Sequence, residues 1–346
     1  MAILTTPFHI GSVTVPNRIV LGPMAGLTNS AYRRHMKAHG AGMVSTEMVS
    51  AHGLLYGNVR TREFLAFAEE ERPVAVQLFA DDPAAMAAAA EAVLSQPRPP
   101  DILDINMGCP VRKVVRTGAG SALLGDPDKA VAVASAVVRV AAQTGIPVTV
   151  KLRSGLKEGD RTAVELARRL EAAGVLGLCV HPRAANQFYH GTADHTVTAD
   201  VVKAVSIPVL ASGDIFSVAA ALAVLEVTGA AAVMVARGAA GNPWLIDALL
   251  VANRSNGGAS VAAAHAGARP PIDVVVDDLR RLLALAAEDL GRARAARWSR
   301  KLLGWYLRPA GISAAVVESM RRLPDTEALD AALAALKVQV RNCAGG

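Results

Sequence analysis

Cys109 lies in the run Asp104-Ile105-Asn106-Met107-Gly108-Cys109-Pro110, where a short β-prone apolar segment ends in a tight loop. A cysteine in that setting is placed for chemistry rather than for filling a core gap. Gly108 and Pro110 flank it, and Arg112, Lys113 and Arg116 follow at once, which implies an exposed, positively charged mouth. The other cysteines, Cys179 and Cys343, are far away and form no paired motif, so neither a disulfide framework nor a zinc site is expected and no metal is assigned.

Other chemistry-bearing residues fall, like Cys109, at the ends of β-prone runs. In chain order these ends carry Gly22-Pro23-Met24-Ala25-Gly26, Glu47, Gln77, Asn106 with Cys109, Lys151 with Arg153, His181, Ser212-Gly213-Asp214 and Ala236-Arg237-Gly238. Gln77 and Asn106 can exchange paired hydrogen bonds with amide-like edges, and Lys151 can set a positive charge beside an electron-accepting ring. Such a set suits a flavin. Its phosphate needs backbone N–H groups free of side-chain bulk, which Gly213 and Gly238 supply, while Arg237 adds charge-assisted hydrogen bonds and Met24 can lie on the ring face. His181 reads either as a phosphate or ring-edge contact or as a histidine that hydrogen-bonds the backbone. Cys179, two residues earlier in the same run, is read as packing.

The elements that must position these residues follow from an alternation of short apolar runs with longer Ala/Leu-rich stretches. Eight runs stand out, at 19–22, 43–46, 74–78, 102–105, 148–152, 177–180, 209–211 and 232–235. Asp82-Pro83 and Asp126-Pro127 read as helix starts, and Gly145, Gly174 and Gly229 as helix stops. Eight strands with crossover helices predict a (β/α)8 TIM barrel, whose chemistry collects at the C-terminal strand ends. Residues 1–250 are assigned to this flavin-binding catalytic domain and the Asn/Gly/Ala-rich residues 251–271 to a linker. Residues 272–346, helical in period throughout, are assigned to a small all-α domain.

The formal net charge of +6 hints at a polyanionic partner, and its location is more telling. Arg292, Arg294, Arg297, Arg300, Lys301 and Arg308 fall in one stretch with no acidic residue, either a solvated helix face or a nucleic-acid contact. The N-terminal residues lack the pattern of a signal peptide, and no run of about 18 uncharged apolar residues occurs. A cytoplasmic monomer that avoids membranes is expected.

The chain resembles the tRNA-dihydrouridine synthases, and among them the bacterial B-type group. The resemblance rests on Asn17-Arg18-Ile19 through Gly26, Ser45-Thr46-Glu47-Met48, Asp104 through Pro110, Gly118-Ala119-Gly120-Ser121-Ala122-Leu123-Leu124, Val150-Lys151-Leu152-Arg153, Ser212-Gly213-Asp214-Ile215, Ala236 through Trp244, and Trp305-Tyr306-Leu307. It implies an enzyme with FMN that takes hydride from NADPH and reduces the carbon 5–carbon 6 double bond of selected uridines in tRNA. Cys109 would be the acid that protonates carbon 5, a role suited to a thiol of ordinary pKa about 8.5, though Arg112 and Lys113 would favour the thiolate. FMN would be held by Pro23, Met24, Ala25, Gln77, Lys151, His181, Ser212, Gly213, Asp214, Ala236 and Arg237, and tRNA by Asn106, Arg112, Lys113, Arg153, Arg294, Arg297 and Lys301. The chain departs from the pattern at Pro182 and Ala236, where glycine is usual, and at Ser212, where asparagine is common; at Ala236 only the backbone N–H is then a ligand. Two rival readings are an FMN barrel dehydrogenase acting on a free pyrimidine, which needs no arginine-rich appendage, and a non-catalytic RNA-binding module, which gives Cys109 and Lys151 no reason to coexist.

Overall fold

The structure, a computed structural model, describes residues 4–58, 61, 63–252 and 269–344. An antiparallel hairpin, β1 (Phe8–Ile10) and β2 (Val13–Val15), comes first. Then follow β3 (Ile19–Leu21), β4 (Met43–Ser45), the two-residue β5 (Val49–Ser50), β6 (Val74–Phe79), β7 (Ile102–Met107), β8 (Val148–Arg153), β9 (Gly177–His181), β10 (Val209–Ser212) and β11 (Ala232–Val235). All pairings after the hairpin are parallel, and the β11–β3 and β4–β6 pairings close β3, β4 and β6 to β11 into an eight-stranded barrel. The eight expected runs are these strands, within two residues at each end. The hairpin and β5 were not anticipated, because three- and two-residue pairings carry too little periodicity to stand out.

Helices wrap the barrel as α1 (Ser30–Ala38), α2 (Ala51–Leu55), α3 (Pro83–Leu94), α4 (Arg112–Val115), α5 (Pro127–Ala141), α6 (Thr162–Ala172), α7 (His195–Ala204), α8 (Val218–Thr228) and α9 (Trp244–Ala252). Asp82 and Asp126 do cap α3 and α5, each ahead of a proline in the first turn, and Gly229 ends α8 in the left-handed region. The C-terminal region is helical: α10 (Ile272–Leu290), α11 (Arg292–Leu307), α12 (Ala314–Arg321) and α13 (Thr326–Ala344). Most of the expected linker, 253–268, lies outside the described residues, as does the Cys343 side chain. No helix of the described residues is long and apolar enough to cross a membrane.

Side-chain alternation sorts each strand into an inward and an outward set. The lower inward layer is apolar: Val20, Met43, Ala75, Ile102, Cys179, Leu210 and Met234 cluster with Phe8, Ile10 and Val15 of the hairpin, which therefore stoppers the N-terminal end. Cys179 is buried packing there, its Sγ 3.3 Å from Met234 Sδ. One inward step nearer the C-terminal end, the same alternation brings Gln77, Asp104, Lys151 and His181 into the interior. The helical region is not a separate body on a tether. Leu302, Leu303, Tyr306 and Leu307 of α11 and Leu279 and Leu282 of α10 share one core with Ile19, Tyr32 and Leu245 of the barrel. Each such side chain contributes about 1.5–3 kcal/mol by leaving water, so α11 is fixed against the barrel.

The loop after β3 is held from below by a buried ion pair. Arg33 on α1, 1% exposed, donates to Glu71 Oε2 at 2.5 Å, to the Thr28 carbonyl at 2.6 Å and to the Ala66 carbonyl at 2.7 Å. Glu71 also accepts from Ser30 Oγ and the Ala68 N–H, so its carboxylate is fully used. Removing one partner of such a pair leaves a buried charge uncompensated. Glu71→Gln is expected to lower the unfolding free energy by about 3–5 kcal/mol, read as a lower denaturant midpoint with unchanged slope; a loss below about 1 kcal/mol would mean that the Arg33 carbonyl contacts suffice alone.

Candidate active site

The C-terminal strand ends surround a cleft of about 610 Å³, within the usual size of a cofactor site. It is lined by Pro23, Met24 and Ala25 after β3, Gln77 on β6, Asn106 and Cys109 at β7, Lys151 and Arg153 on β8, His181 on β9, Ser212, Gly213 and Asp214 at β10, and Ala236 and Arg237 at β11. Lys301 and Trp305 of α11 complete the rim. Of the residues assigned to the site from sequence, Arg112, Lys113, Arg294 and Arg297 are not part of this lining. Arg112 and Lys113 sit exposed on α4, directly after Val111, which does line the cleft.

A polar chain of fixed direction runs across the cleft floor. The N–H groups of Gly108 and Cys109 donate to Asn106 Oδ1 at 3.1 and 2.9 Å. These donors cannot be reversed, so Asn106 Nδ2 must face Gln77 Oε1, at 2.8 Å, and Gln77 Nε2 must face Asp104 Oδ2, at 2.6 Å. Thr149 Oγ1 donates to the other Asp104 oxygen at 2.6 Å. Asp104 is therefore an acceptor at both oxygens. Burial raises its pKa, opposed by the Thr149 and Gln77 hydrogen bonds and by the charge of Lys151. Both side-chain amides assigned to ligand binding are thus also structural: Asn106 spends its oxygen on the Cys109 loop, and Gln77 joins that loop to the barrel interior.

Cys109 is half-buried. Burial pushes its thiol up, against a hydrogen bond from the Val111 N–H and the charges of Arg153 and Lys151. The balance keeps the thiol protonated, and the cations opposing burial come from β8 rather than from Arg112 and Lys113. Arg153, 3% exposed, donates to the carbonyls of Gly108 and Ala184 at 2.9 and 3.0 Å and so ties the Cys109 loop to the loop after β9.

Around His181 the cleft is rich in cations. Burial and the charges of Lys151, Arg153, Arg183 and Arg237 push the His181 imidazole far below its ordinary range, so it is neutral. Arg183, which sequence reasoning did not assign to the site, grips Asp214 with two hydrogen bonds of 2.8 and 2.7 Å and also donates to the carbonyls of His190 and Gly191. Asp214 therefore offers a ligand its backbone rather than its carboxylate. The corner at β10 and β11 is tight: a Cβ on Gly213 would lie 2.7 Å from His181 Cδ2, and one on Gly238 would lie 2.0 Å from the Ile215 carbonyl oxygen. Only glycine allows the two strand ends to close here. At the rim, the Arg237 guanidinium lies 4.1 Å from the ring centre of Tyr189 and 5.5 Å from that of Phe216, both exposed. These aromatics were also missed, because cation–π partners from separate loops leave no spacing to read.

The basic helix reaches the same rim. Residues 294, 297, 301 and 305 recur at helical spacing, and since Lys301 and Trp305 line the cleft, this face of α11 leads up to it. Lys301 Nζ donates to the Gly26 carbonyl, while the Gly26 N–H donates to Glu47. Arg294 pairs with Glu63 at 2.5 Å. Arg297 is exposed and makes no ion pair among the described residues.

Comparisons with known proteins bear on this arrangement. A family model described as dihydrouridine synthase matches residues 20–339. The chain is 37% identical over 326 residues to tRNA-dihydrouridine synthase B of Pseudomonas aeruginosa, covering 92% of each chain. It is 36% identical over 313 residues to a probable tRNA-dihydrouridine synthase of Mycobacterium tuberculosis, covering 88% of this chain and 78% of the relative. Among solved structures, histamine dehydrogenase from Rhizobium superposes with a TM-score of 0.57 at 12% identity, covering 82% of this chain and 51% of that one. A morphinone reductase variant in complex with tetrahydroNAD superposes with a TM-score of 0.52 at 13% identity, covering 75% and 93%. These two likenesses establish the barrel fold alone. The family match along nearly the whole chain, together with relatives of this identity and coverage, establishes that the protein belongs to the dihydrouridine synthase family of enzymes.

Proposed function

We propose that the protein uses FMN and NADPH to reduce the carbon 5–carbon 6 double bond of selected uridines in tRNA, in the cytoplasm. The observation that carries the reading is the cleft itself, where a protonated Cys109, a cation-rich glycine corner and the cleft-facing side of a basic helix meet. The donor set fits FMN. Lys151, Arg237 and the backbone at Gly213 and Gly238 suit an anionic phosphate and an electron-accepting ring, and the volume suits a mononucleotide.

Lys151, Arg237 and the backbone at Gly213 and Gly238 would hold FMN, which, reduced by NADPH, would supply the hydride for carbon 6. Cys109 gives its proton to carbon 5 of the same uracil and recovers one from solvent. Asn106 is a positioning residue: it caps the loop that presents the thiol, and Asp104 sets its orientation through Gln77. A uridine in folded tRNA must leave its stack to enter the cleft, at a cost of a few kcal/mol that phosphate contacts offset. Arg297 is suited to supply one such contact, with Arg294 and Lys301 sharing their charge with the barrel.

Cys109→Ala is expected to keep bound flavin and NADPH oxidation while losing dihydrouridine, measured by mass spectrometry of digested tRNA, by about 10²–10⁴-fold; an unchanged yield would remove Cys109 from the role. Because the donor must be protonated and burial raises its pKa, the Cys109-dependent step should hold level through neutral pH and fall only on the alkaline side of the ordinary thiol range of about 8.5. Asn106→Ala should slow product formation by about 10²-fold through a misplaced thiol, with faster alkylation of Cys109 as a separate readout; normal alkylation together with normal turnover would exclude the capping role. Arg297→Gln should weaken tRNA binding and lower the slope of log affinity against log salt by about 0.7–0.9, and Arg294→Gln by less, since Glu63 already shares that charge. An unaltered slope in both would place the tRNA elsewhere.

A further inference from the structure

Behind the barrel wall, away from the cleft, α1, α9 and α10 bring two histidines and two aspartates together. His35 and His39, four residues apart on α1 and its C-cap, both face Asp278 of α10. His35 Nε2 is 3.0 Å from Asp278 Oδ2 and His39 Nε2 is 3.0 Å from Asp278 Oδ1. One donor atom from each of the three side chains lies within 4.8 Å of the other two. Asp278 is wholly buried, at 0% exposed, and His35 is buried at 3%.

The second nitrogen of His39 decides what this cluster asks for. His39 Nδ1 is 2.6 Å from Asp247 Oδ2 on α9, a contact that requires a proton on Nδ1. His39 Nε2 then faces a carboxylate oxygen 3.0 Å away, so that position must carry a positive charge, either a second imidazole proton, which Asp247 and Asp278 favour, or a metal ion in its place. Two lone pairs at that distance repel unless something positive lies between them. His35 Nε2 meets the same carboxylate and also lies 3.3 Å from Tyr306 Oη. We propose that His35, His39 and Asp278 bind a divalent cation of the zinc type at the junction of barrel and helical region, with Asp247 as the outer partner that fixes the His39 tautomer.

The chemistry of the donors selects the ion. Two imidazole nitrogens and a carboxylate without thiolate suit zinc, and an outer carboxylate on a ligand histidine is the usual support for such a site. Bonds of about 2.0–2.2 Å at tetrahedral angles put ligand atoms roughly 3.3–3.5 Å apart, so the 3.0 Å contacts would open slightly and the wider separations, which stay within 4.8 Å, would close on the ion. A water or Tyr306 Oη is available for the fourth position. Trp244 and Tyr306 wall the site, their rings in edge contact. One group works against the ion: Arg281 Nη2 lies 3.3 Å from Asp278 Oδ1, but its side chain is 68% exposed and free to swing into water. The cation would be structural, joining α1 to the helix hairpin that carries the basic face, and it takes no part in the reduction. It also departs from the metal-free expectation, which considered cysteine patterns alone.

The test uses the full-length protein with whatever flavin it carries. After EDTA treatment and desalting, it is titrated with Zn²⁺ alone by calorimetry, and retained zinc is counted by elemental mass spectrometry. One zinc per chain and a raised Tm are expected, with Co²⁺ giving the visible bands of tetrahedral nitrogen and oxygen ligation. Asp247→Asn should weaken zinc binding by about 10–100-fold and His39→Gln should abolish it, with folding checked by circular dichroism and His35→Gln as the second ligand variant. Zinc uptake by the wild type no greater than by His39→Gln, or a cobalt spectrum like that of the aqueous ion, would show that a proton fills the gap and that the cluster is hydrogen-bonded only. Neither outcome depends on dihydrouridine formation, so this proposal and the proposed reaction fail separately.

Discussion

A buried carboxylate in the middle of a closed barrel must have all its hydrogen bonds made, and much of the site follows from how Asp104 meets that demand. Both oxygens accept, from Gln77 and Thr149. At the far end of the same chain, the fixed backbone donors of Gly108 and Cys109 leave Asn106 only one orientation. The two ends agree on a single direction of hydrogen bonding. The loop that carries the thiol is thereby tied to the barrel interior, and proton delivery to a particular carbon needs such fixed placement.

Electrostatics then fixes the protonation state of two groups in the cleft. At Cys109 burial outweighs the nearby cations and the proton stays on sulfur. Around His181 four cations and burial act together, and the imidazole stays neutral. A neutral histidine, a protonated thiol and an excess of Arg and Lys leave a positive potential for an anionic ligand without a competing titration at neutral pH. Arg183 limits the excess by gripping Asp214, which fixes the β9 and β10 loops to one another.

The helical region belongs to the same physical unit as the barrel. Its leucines share the barrel core, and Lys301 bonds the Gly26 carbonyl in the loop after β3. That loop is in turn supported by the buried Arg33–Glu71 pair, which links the rim of the cleft to the stability of the fold. The distance from the basic helix face to Cys109 is therefore set by packing and not by a flexible connection.

The succession of short apolar runs and longer Ala/Leu-rich stretches, a local property of the chain, was enough to locate the eight barrel strands, the capped crossover helices and the side of the barrel that bears the chemistry. It also marked Cys109, Gln77, Asn106, Lys151, His181 and Gly213, because each stands at or just past the C-terminal end of a readable strand. Nothing local could show that Asn106 spends its oxygen on the Cys109 loop, or that Arg183 takes the Asp214 carboxylate. The pairing of Arg294 with Glu63 and the meeting of His35 and His39 with Asp278 join residues more than 200 positions apart. Sequence by itself determined which elements form and which residues stand at their ends, because backbone geometry ties side-chain direction to position along a strand or helix. Only the tertiary structure decided which of those residues face a ligand and which are used up on one another, because burial, charge and hydrogen-bond partners are supplied by whatever the closed fold brings alongside.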